Sequence, residues 1–225
     1  MKSIASYPLL LMWFIVLLPI GHLLSQKSAE NEWTLINEKD NIYVYTRLLE
    51  DETLKEVRIQ FRVQAPMQVF LNTLDYVPTY TDWVYKCAES KLVRKINDFD
   101  FYYYVRTDFP FPFIDRDLIV HTTGRIDPNT GIYYARSVAA PTEVGVRTDC
   151  VRIRKFESSW TIRPLPNGYL AATYQVRTEA GGVIPDWLTN LAVSTGPMRT
   201  IQGLLALVAR AVERSHQPDD NRRKR

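Results

Sequence analysis

The hydrophobic period of this chain changes once, and that change limits what it can fold into. From Ile42 to Thr178 apolar residues recur mainly at every second position, and from Ile184 to Val212 at every third or fourth. Period two marks strands with one buried face, and a three-to-four step marks an amphipathic helix. Strands first and one long helix last predict an α+β domain, with the helix packed on an antiparallel sheet. The clearest alternation is Leu54–Val63. Val57, Ile59, Phe61 and Val63 share one face there, and Glu56, Arg58, Gln60 and Arg62 the other. Ile42–Arg47 is its natural partner. Pro66 suits the first turn of a short helix, Met67–Leu74.

Turn chemistry separates the remaining strands. Asn97-Asp98 divides Tyr85–Ile96 from Phe99–Thr107. Asp127-Pro128-Asn129-Thr130-Gly131 divides Asp117–Ile126 from Ile132–Ala139. Pro164-Leu165-Pro166-Asn167-Gly168 divides Val151–Ile162 from Tyr169–Thr178. Alternation turns Phe101 and Tyr103 inward and Tyr102 and Tyr104 outward. Arg154-Lys155 interrupts the pattern and predicts a bulge. In the last segment Ile184, Leu188, Leu191, Thr195, Met198, Leu205, Val208 and Val212 form one helical stripe. Pro185 fits its first turn, and Gly196-Pro197 predicts a kink.

Residues 1–25 read as a secretory signal: Lys2, an apolar run from Pro8 to Ile20, and Ser25 at a cleavage position. The run is short for a membrane span, which needs roughly 20 apolar residues. Export is therefore expected, with an uncleaved N-terminal anchor as the alternative. Residues 30–215 contain no linker and read as one domain. Residues 216–225 form a polar tail ending in Arg222-Arg223-Lys224-Arg225, expected to be disordered and solvated, or to touch anionic lipid. An exported chain is allowed disulfides, but Cys87 and Cys150 read more naturally as two buried thiols.

The formal charge is +3, from 28 Lys+Arg against 25 Asp+Glu. That balance gives no electrostatic footprint for nucleic acid. No catalytic motif is present: no GxSxG, no GxGxxG, and no Cys or His spacing for zinc. A lone strand histidine, His121, reads as structural. Asp115-Arg116-Asp117 reads as an ion-paired strand start rather than a grip on a head group, because nothing in the sequence turns these charges inward. The residues point to a binding protein without metal or cofactor.

Several motifs then occur in a telling order. Trp33 precedes Ile42-Tyr43-Val44-Tyr45, and Asp75 precedes Trp83. Pro112-Phe113-Ile114-Asp115-Arg116-Asp117 opens a central strand. Trp160 and Pro164 fall late, and Gly181-Gly182-Val183-Ile184-Pro185-Asp186-Trp187-Leu188 leads into the last helix. In this order they resemble the START (StAR-related lipid transfer) domain family, over roughly Glu30 to Ser215.

The resemblance implies a helix-grip fold: a curved antiparallel sheet around a long C-terminal helix, with an internal apolar tunnel for one lipid. It implies a monomer that binds a lipid or other hydrophobic small molecule, with transient membrane-surface contact and no catalysis. The tunnel-lining candidates are Phe61, Phe101, Tyr103, Val105, Leu118, Val120, Thr122, Tyr174, Leu188, Leu191, Thr195 and Met198. Sterol-type members carry an acidic–basic pair inside, at positions that fall near Val105 and Thr122, and neither is charged here. Two alternatives stand beside this reading. Helix-grip relatives that act as cyclases or hydrolases would make His121, Asp117 and Tyr103 the reacting groups. A filled interior would make the domain an interaction module.

Overall fold

The computed structural model describes residues 32–48, 55–179, 181–182 and 184–216. The predicted signal and almost all of the predicted tail lie outside the described residues. Ten strands form one antiparallel sheet, apart from a single parallel contact. They are β1 (Thr34–Lys39), β2 (Ile42–Leu48), β3 (Lys55–Gln64), β4 (Cys87–Asn97), β5 (Asp100–Thr107), β6 (Asp115–Ile126), β7 (Tyr133–Ala139), β8 (Cys150–Arg152), β9 (Lys155–Pro164) and β10 (Tyr169–Glu179). The spatial order is β1-β2-β3-β10-β9-β7-β6-β5-β4, with β8 beside β6. Most neighbours in sequence pair directly: β1–β2–β3, β4–β5–β6–β7 and β9–β10, with β7 meeting β9 across β8. The one long-range closure is β3 on β10, which joins the N-terminal strands to the rest.

The helical elements sit between β3 and β4 and at the C-terminus. They are α1 (Met67–Leu74), a 3-10 turn (Val77–Thr79), α2 (Tyr80–Trp83), α3 (Asp186–Asn190), a π turn (Leu191–Thr195) and α4 (Gly196–His216). The curved sheet and α4 make the predicted helix grip. The edge hairpin β1–β2 turns through Asp40 and Asn41, both at positive φ. Two left-handed residues in a two-residue loop match the right-handed twist of the strands they join. Neither β1 nor the short α2 was expected from the sequence.

Buried apolar residues from the sheet and helices form one core. Val44, Ile59, Phe61, Phe101, Tyr133 and Ile162 come from the strands, Phe70, Leu74 and Trp83 from the short helices, and Met198, Ile201, Leu204 and Val208 from α4. Phe61, Phe70 and Trp160 meet with ring centroids 6.3–6.5 Å apart. Helix α4 packs on α1, α2, β2 and β3. It reaches α2 closely because position 203 is glycine: a Cβ there would stand 2.7 Å from the Trp83 carbonyl oxygen. The Tyr85 amide donates to Thr200 Oγ1 at 3.0 Å, and Gln202 Nε2 donates to Asp40 at 2.9 Å, which fixes the helix at both sides.

Three sequence expectations change in detail. The predicted stripe missed Ile201 and Leu204, both fully buried. Both are in phase with Met198 and Val208, which the stripe included, so they widen that stripe. A π turn, Leu191–Thr195, ends just before Gly196-Pro197, where the sequence predicts a kink.

The predicted strand Val151–Ile162 is two strands rather than one bulged strand. Its first part, β8, runs parallel to Asp115–Asp117, and the Ile153 amide donates to the Asp117 carbonyl at 2.8 Å. The chain then crosses over, and Lys155–Pro164 pairs with β7 and β10. Tyr104 lies on the outer face as expected, yet it is fully buried. Glu89, Asp117, Arg147 and Cys150 surround it there.

The break between β8 and β9 serves Arg152. Its guanidinium grips both oxygens of Asp117 at 2.8 Å and also donates to the carbonyls of Pro141, Val144 and Gly145. Both side chains are almost fully buried. Asp115 meanwhile accepts from Arg106 at 2.7 Å and from the Phe109 amide. The acids of the Asp-Arg-Asp segment are thus ion-paired at the strand start, as the sequence implied. Replacing Asp117 by Ala would leave a buried guanidinium without its anion. A loss of about 3–5 kcal/mol is expected, read by urea unfolding.

Candidate functional site

Strand pairing decides which side chains share the concave face. Directly opposite residues point the same way, so register extends from strand to strand. Phe101 faces Thr122, Tyr103 faces Val120, and Val105 faces Leu118. Thr122 faces Ser137, and Ser137 faces Ser158. Trp160 faces Tyr174, which in turn faces Ile59. All of these belong to the face that α1, α2 and α4 cover, because Phe101, Ala135 and Ile59 join the core there.

Most of the nominated lining residues therefore share this face. Phe61, Phe101, Leu118, Val120, Thr122, Leu188 and Met198 are buried. Tyr103, Val105, Tyr174 and Thr195 are half-buried. The Leu191 side chain lies outside the described ones. The rings of Phe101 and Tyr103 are 6.0 Å apart, and Tyr80 stands edge-on to Tyr103 at 5.4 Å.

The face is not purely apolar. Thr122 Oγ1 and Ser137 Oγ are hydrogen-bonded at 2.8 Å, both buried. The phenol of Tyr103 lies near Thr122, and that of Tyr174 near Ser158. Burial raises the pKa of Tyr80, Tyr103 and Tyr174, so these phenols stay neutral at any physiological pH. The Trp83 indole N–H is also buried, with no partner among the described residues.

One carboxyl joins this interior. Asp75 ends α1 and accepts from the Tyr133 hydroxyl at 3.5 Å. Tyr133 is fully buried and lies tight against Gly124, where a Cβ would stand 2.8 Å from its hydroxyl. Burial lifts the Asp75 pKa to about 7, which the Tyr133 bond only partly opposes.

The sequence did not nominate Asp75, Tyr80, Tyr133, Ser137 or Ser158 for this face. Strand alternation carried the signal for three of them. Tyr133, Ala135 and Ser137 are in one phase, as are Ser158, Trp160 and Ile162.

The enzyme alternative loses its constellation. His121 and Asp117 lie on the outer face, opposite Tyr102 and Arg106, whereas Tyr103 lies on the inner face. His121 Nε2 pairs with Asp100 at 2.8 Å, and its ring stacks on Tyr102 at 4.0 Å. Asp117 is committed to Arg152. Cys87 and Cys150 are separate thiols, and burial pushes Cys87 up to about 11. No group of three or more metal-ligating side chains gathers among the described residues.

At the β6 start, Arg116 closes one end of the face. Its guanidinium lies 4.2 Å over the Phe109 ring and donates to the carbonyls of Ile114 and Gly181. It thereby ties the β5–β6 loop to the segment leading into α3.

A curved antiparallel sheet gripping a C-terminal helix, with a mixed apolar and hydroxyl inner face, defines the helix-grip class of α+β proteins. Within that class the chain belongs to the START domain family, which matches residues 22–214. A Pseudomonas aeruginosa protein is 30% identical over 174 residues, covering 77% of this chain and 85% of its own. A STAR-related lipid transfer protein fragment from Xanthomonas axonopodis superposes with a TM-score of 0.72 at 29% identity, covering 79% of this chain and 98% of that one. Human STARD10 superposes with a TM-score of 0.70 at 17% identity, covering 84% of this chain and 80% of that one, which supports the fold.

The raised Asp75 pKa makes a pH prediction. A carboxyl whose folded pKa lies above its unfolded value opposes folding once both states are ionised. Its cost is absent below about pH 4 and complete above about pH 7. Asp75→Asn should therefore raise Tm at pH 8 by on the order of 5 °C and leave it nearly unchanged at pH 4. A scanning calorimetry series from pH 4 to 8 checks this.

Proposed function

We propose that this domain binds one lipid, or a lipid-like hydrophobic molecule, between the concave face and the α3–α4 segment, and carries it without chemistry. The observation that carries the reading is the inner face itself. Phe61, Phe101, Leu118 and Val120 offer apolar surface, and hydroxyls are spaced among them. Membership of a family that includes a STAR-related lipid transfer protein supports the same reading. Affinity would come from apolar burial, at about 25 cal/mol per Å2 removed from water, and orientation from the few polar groups.

A bilayer contact completes the proposal. Phe111 is 96% exposed, Ile114 56% and Trp187 54%. The β5–β6 loop and the start of α3 stand together, since the Phe113 and Trp187 rings are 6.5 Å apart. Single exposed apolar residues are ordinary, but aromatic ones gathered at one end suit a membrane interface. No described helix is long and apolar enough to cross a membrane. The first 25 residues are proposed to direct export, and the domain is proposed to act as a monomer.

Native mass spectrometry of the full chain, before and after incubation with mixed-lipid vesicles, tests the binding reading. A discrete lipid adduct is expected. An unchanged mass would overturn it in favour of a filled interaction module. Val120→Asp and Leu188→Asp should each abolish the adduct with the helix and strand content retained by circular dichroism. Phe111→Asp combined with Trp187→Ala should slow lipid transfer between vesicles by about tenfold while Tm moves little, because neither side chain holds the core.

A further inference from the structure

The interior hydroxyls are not scattered. Thr122, Ser137 and Ser158 stand directly opposite one another on β6, β7 and β9, and each is about 95% buried. Tyr103 reaches the row from one end and Tyr174 from the other. Five hydroxyls so cross the middle of the concave face. A face that only had to be filled would carry Ala or Val here, as the same face does at Val120, Ala135 and Val176, because a buried hydroxyl costs free energy unless it is bonded.

Within the row Thr122 and Ser137 are hydrogen-bonded at 2.8 Å, and the phenols of Tyr103 and Tyr174 lie near Thr122 and Ser158. Hydroxyls rotate, and each has one donor and two lone pairs, so the row can meet either a donor or an acceptor.

Charge on the same face narrows what can sit there. No lysine or arginine of β5, β7, β9 or β10, the strands around the row, points inward by register. Arg116 does, but it lies six residues along β6 from Thr122, about 20 Å away at strand rise. Its guanidinium is engaged with Phe109 and two carbonyls. The carboxyl of Asp75, bonded to the Tyr133 hydroxyl, reaches the same interior and supplies no positive charge for an anion. A buried phosphate or carboxylate at the row would lack a countercharge, at a cost of several kcal/mol.

We propose that the row formed by Tyr103, Thr122, Ser137, Ser158 and Tyr174 is the polar subsite of the interior, and that it takes the uncharged head of a neutral lipid, one ending in a hydroxyl, ester or amide. This rests on the lipid-binding reading above and narrows its substrate class.

The test uses the full chain and phosphatidylcholine–phosphatidylglycerol vesicles carrying minor, equal amounts of diacylglycerol, ceramide and oleic acid. The protein is re-isolated, and its lipid is extracted and quantified by mass spectrometry. Diacylglycerol or ceramide should exceed both phospholipids and oleic acid. The double variant Ser137→Ala, Ser158→Ala should lower that uptake by about tenfold, the loss of one to two neutral hydrogen bonds. Thr122→Val, nearly equal in shape, should repeat the loss if the double variant folds poorly by circular dichroism.

Phospholipid or oleic acid as the bound species would overturn the subsite while leaving lipid binding intact. So would unchanged neutral-lipid uptake by the variants. No lipid of any class on the wild-type chain would overturn the lipid-binding reading, and the subsite with it.

Discussion

A sheet nine strands across is wider than any helix that covers it. At about 4.8 Å per strand its face would measure roughly 38 Å if flat, against about 10–12 Å for a helix with its side chains. One long C-terminal helix cannot bury such a face unless the sheet curves around it. Even then α4 meets mainly β2 and β3, with α1 and α2 beside it. The middle of the sheet, on β6, β7 and β9, faces inward without a helix of its own. Small side chains occupy that stretch: Thr122, Ala135, Ser137 and Ser158. The hydroxyls gather on the strands that α4 meets least.

The outer face solves the opposite problem. Antiparallel sheets commonly leave one face in water, and most of this one does. Between β5 and β6, however, Tyr104 and Ile119 are fully buried. The Arg152–Asp117 pair, with Arg152 also holding the carbonyls of Pro141, Val144 and Gly145, pins the segment between β7 and β8. Central strands covered on both sides are stiffer than strands open to solvent on one. That stiffness would suit the hydroxyl row proposed above.

How much of this was legible follows from periodicity. Strands half-buried in the ordinary way, such as Lys55–Gln64, announce themselves by alternation, and the structure places them within a residue or two. Tyr103, Thr122 and Tyr174 were found for the inner face because they alternate with clearly apolar neighbours. Ser137 and Ser158 were not, since a serine in an amphipathic strand reads first as solvent-facing. The β8–β9 break was hidden because the partner of Arg152 lies 35 residues earlier, and no local pattern records that. Ile201 and Leu204 lie in the phase of Met198 and Val208, so the helical period itself pointed to them and the stripe was drawn too narrow. Asp75 belongs to no strand or stripe, and only tertiary packing gives it its environment.

The same packing distributes stability unevenly along the C-terminal segment. Helix α4 is fixed by the Gly203–Trp83 approach, by Thr200 on the Tyr85 amide and by Gln202 on Asp40. Helix α3 is only five residues long, too short to persist without tertiary support. It joins α4 through the π turn, whose wider ladder holds weaker hydrogen bonds. Its anchors include Leu188, buried inside, and the Arg116 bond to Gly181 just before it. Exchange of a molecule held beneath α3 and α4 costs least if α3 moves and α4 stays. The exposed Phe111 and Trp187 sit at that end of the domain, so the element easiest to displace is also the one a bilayer would meet.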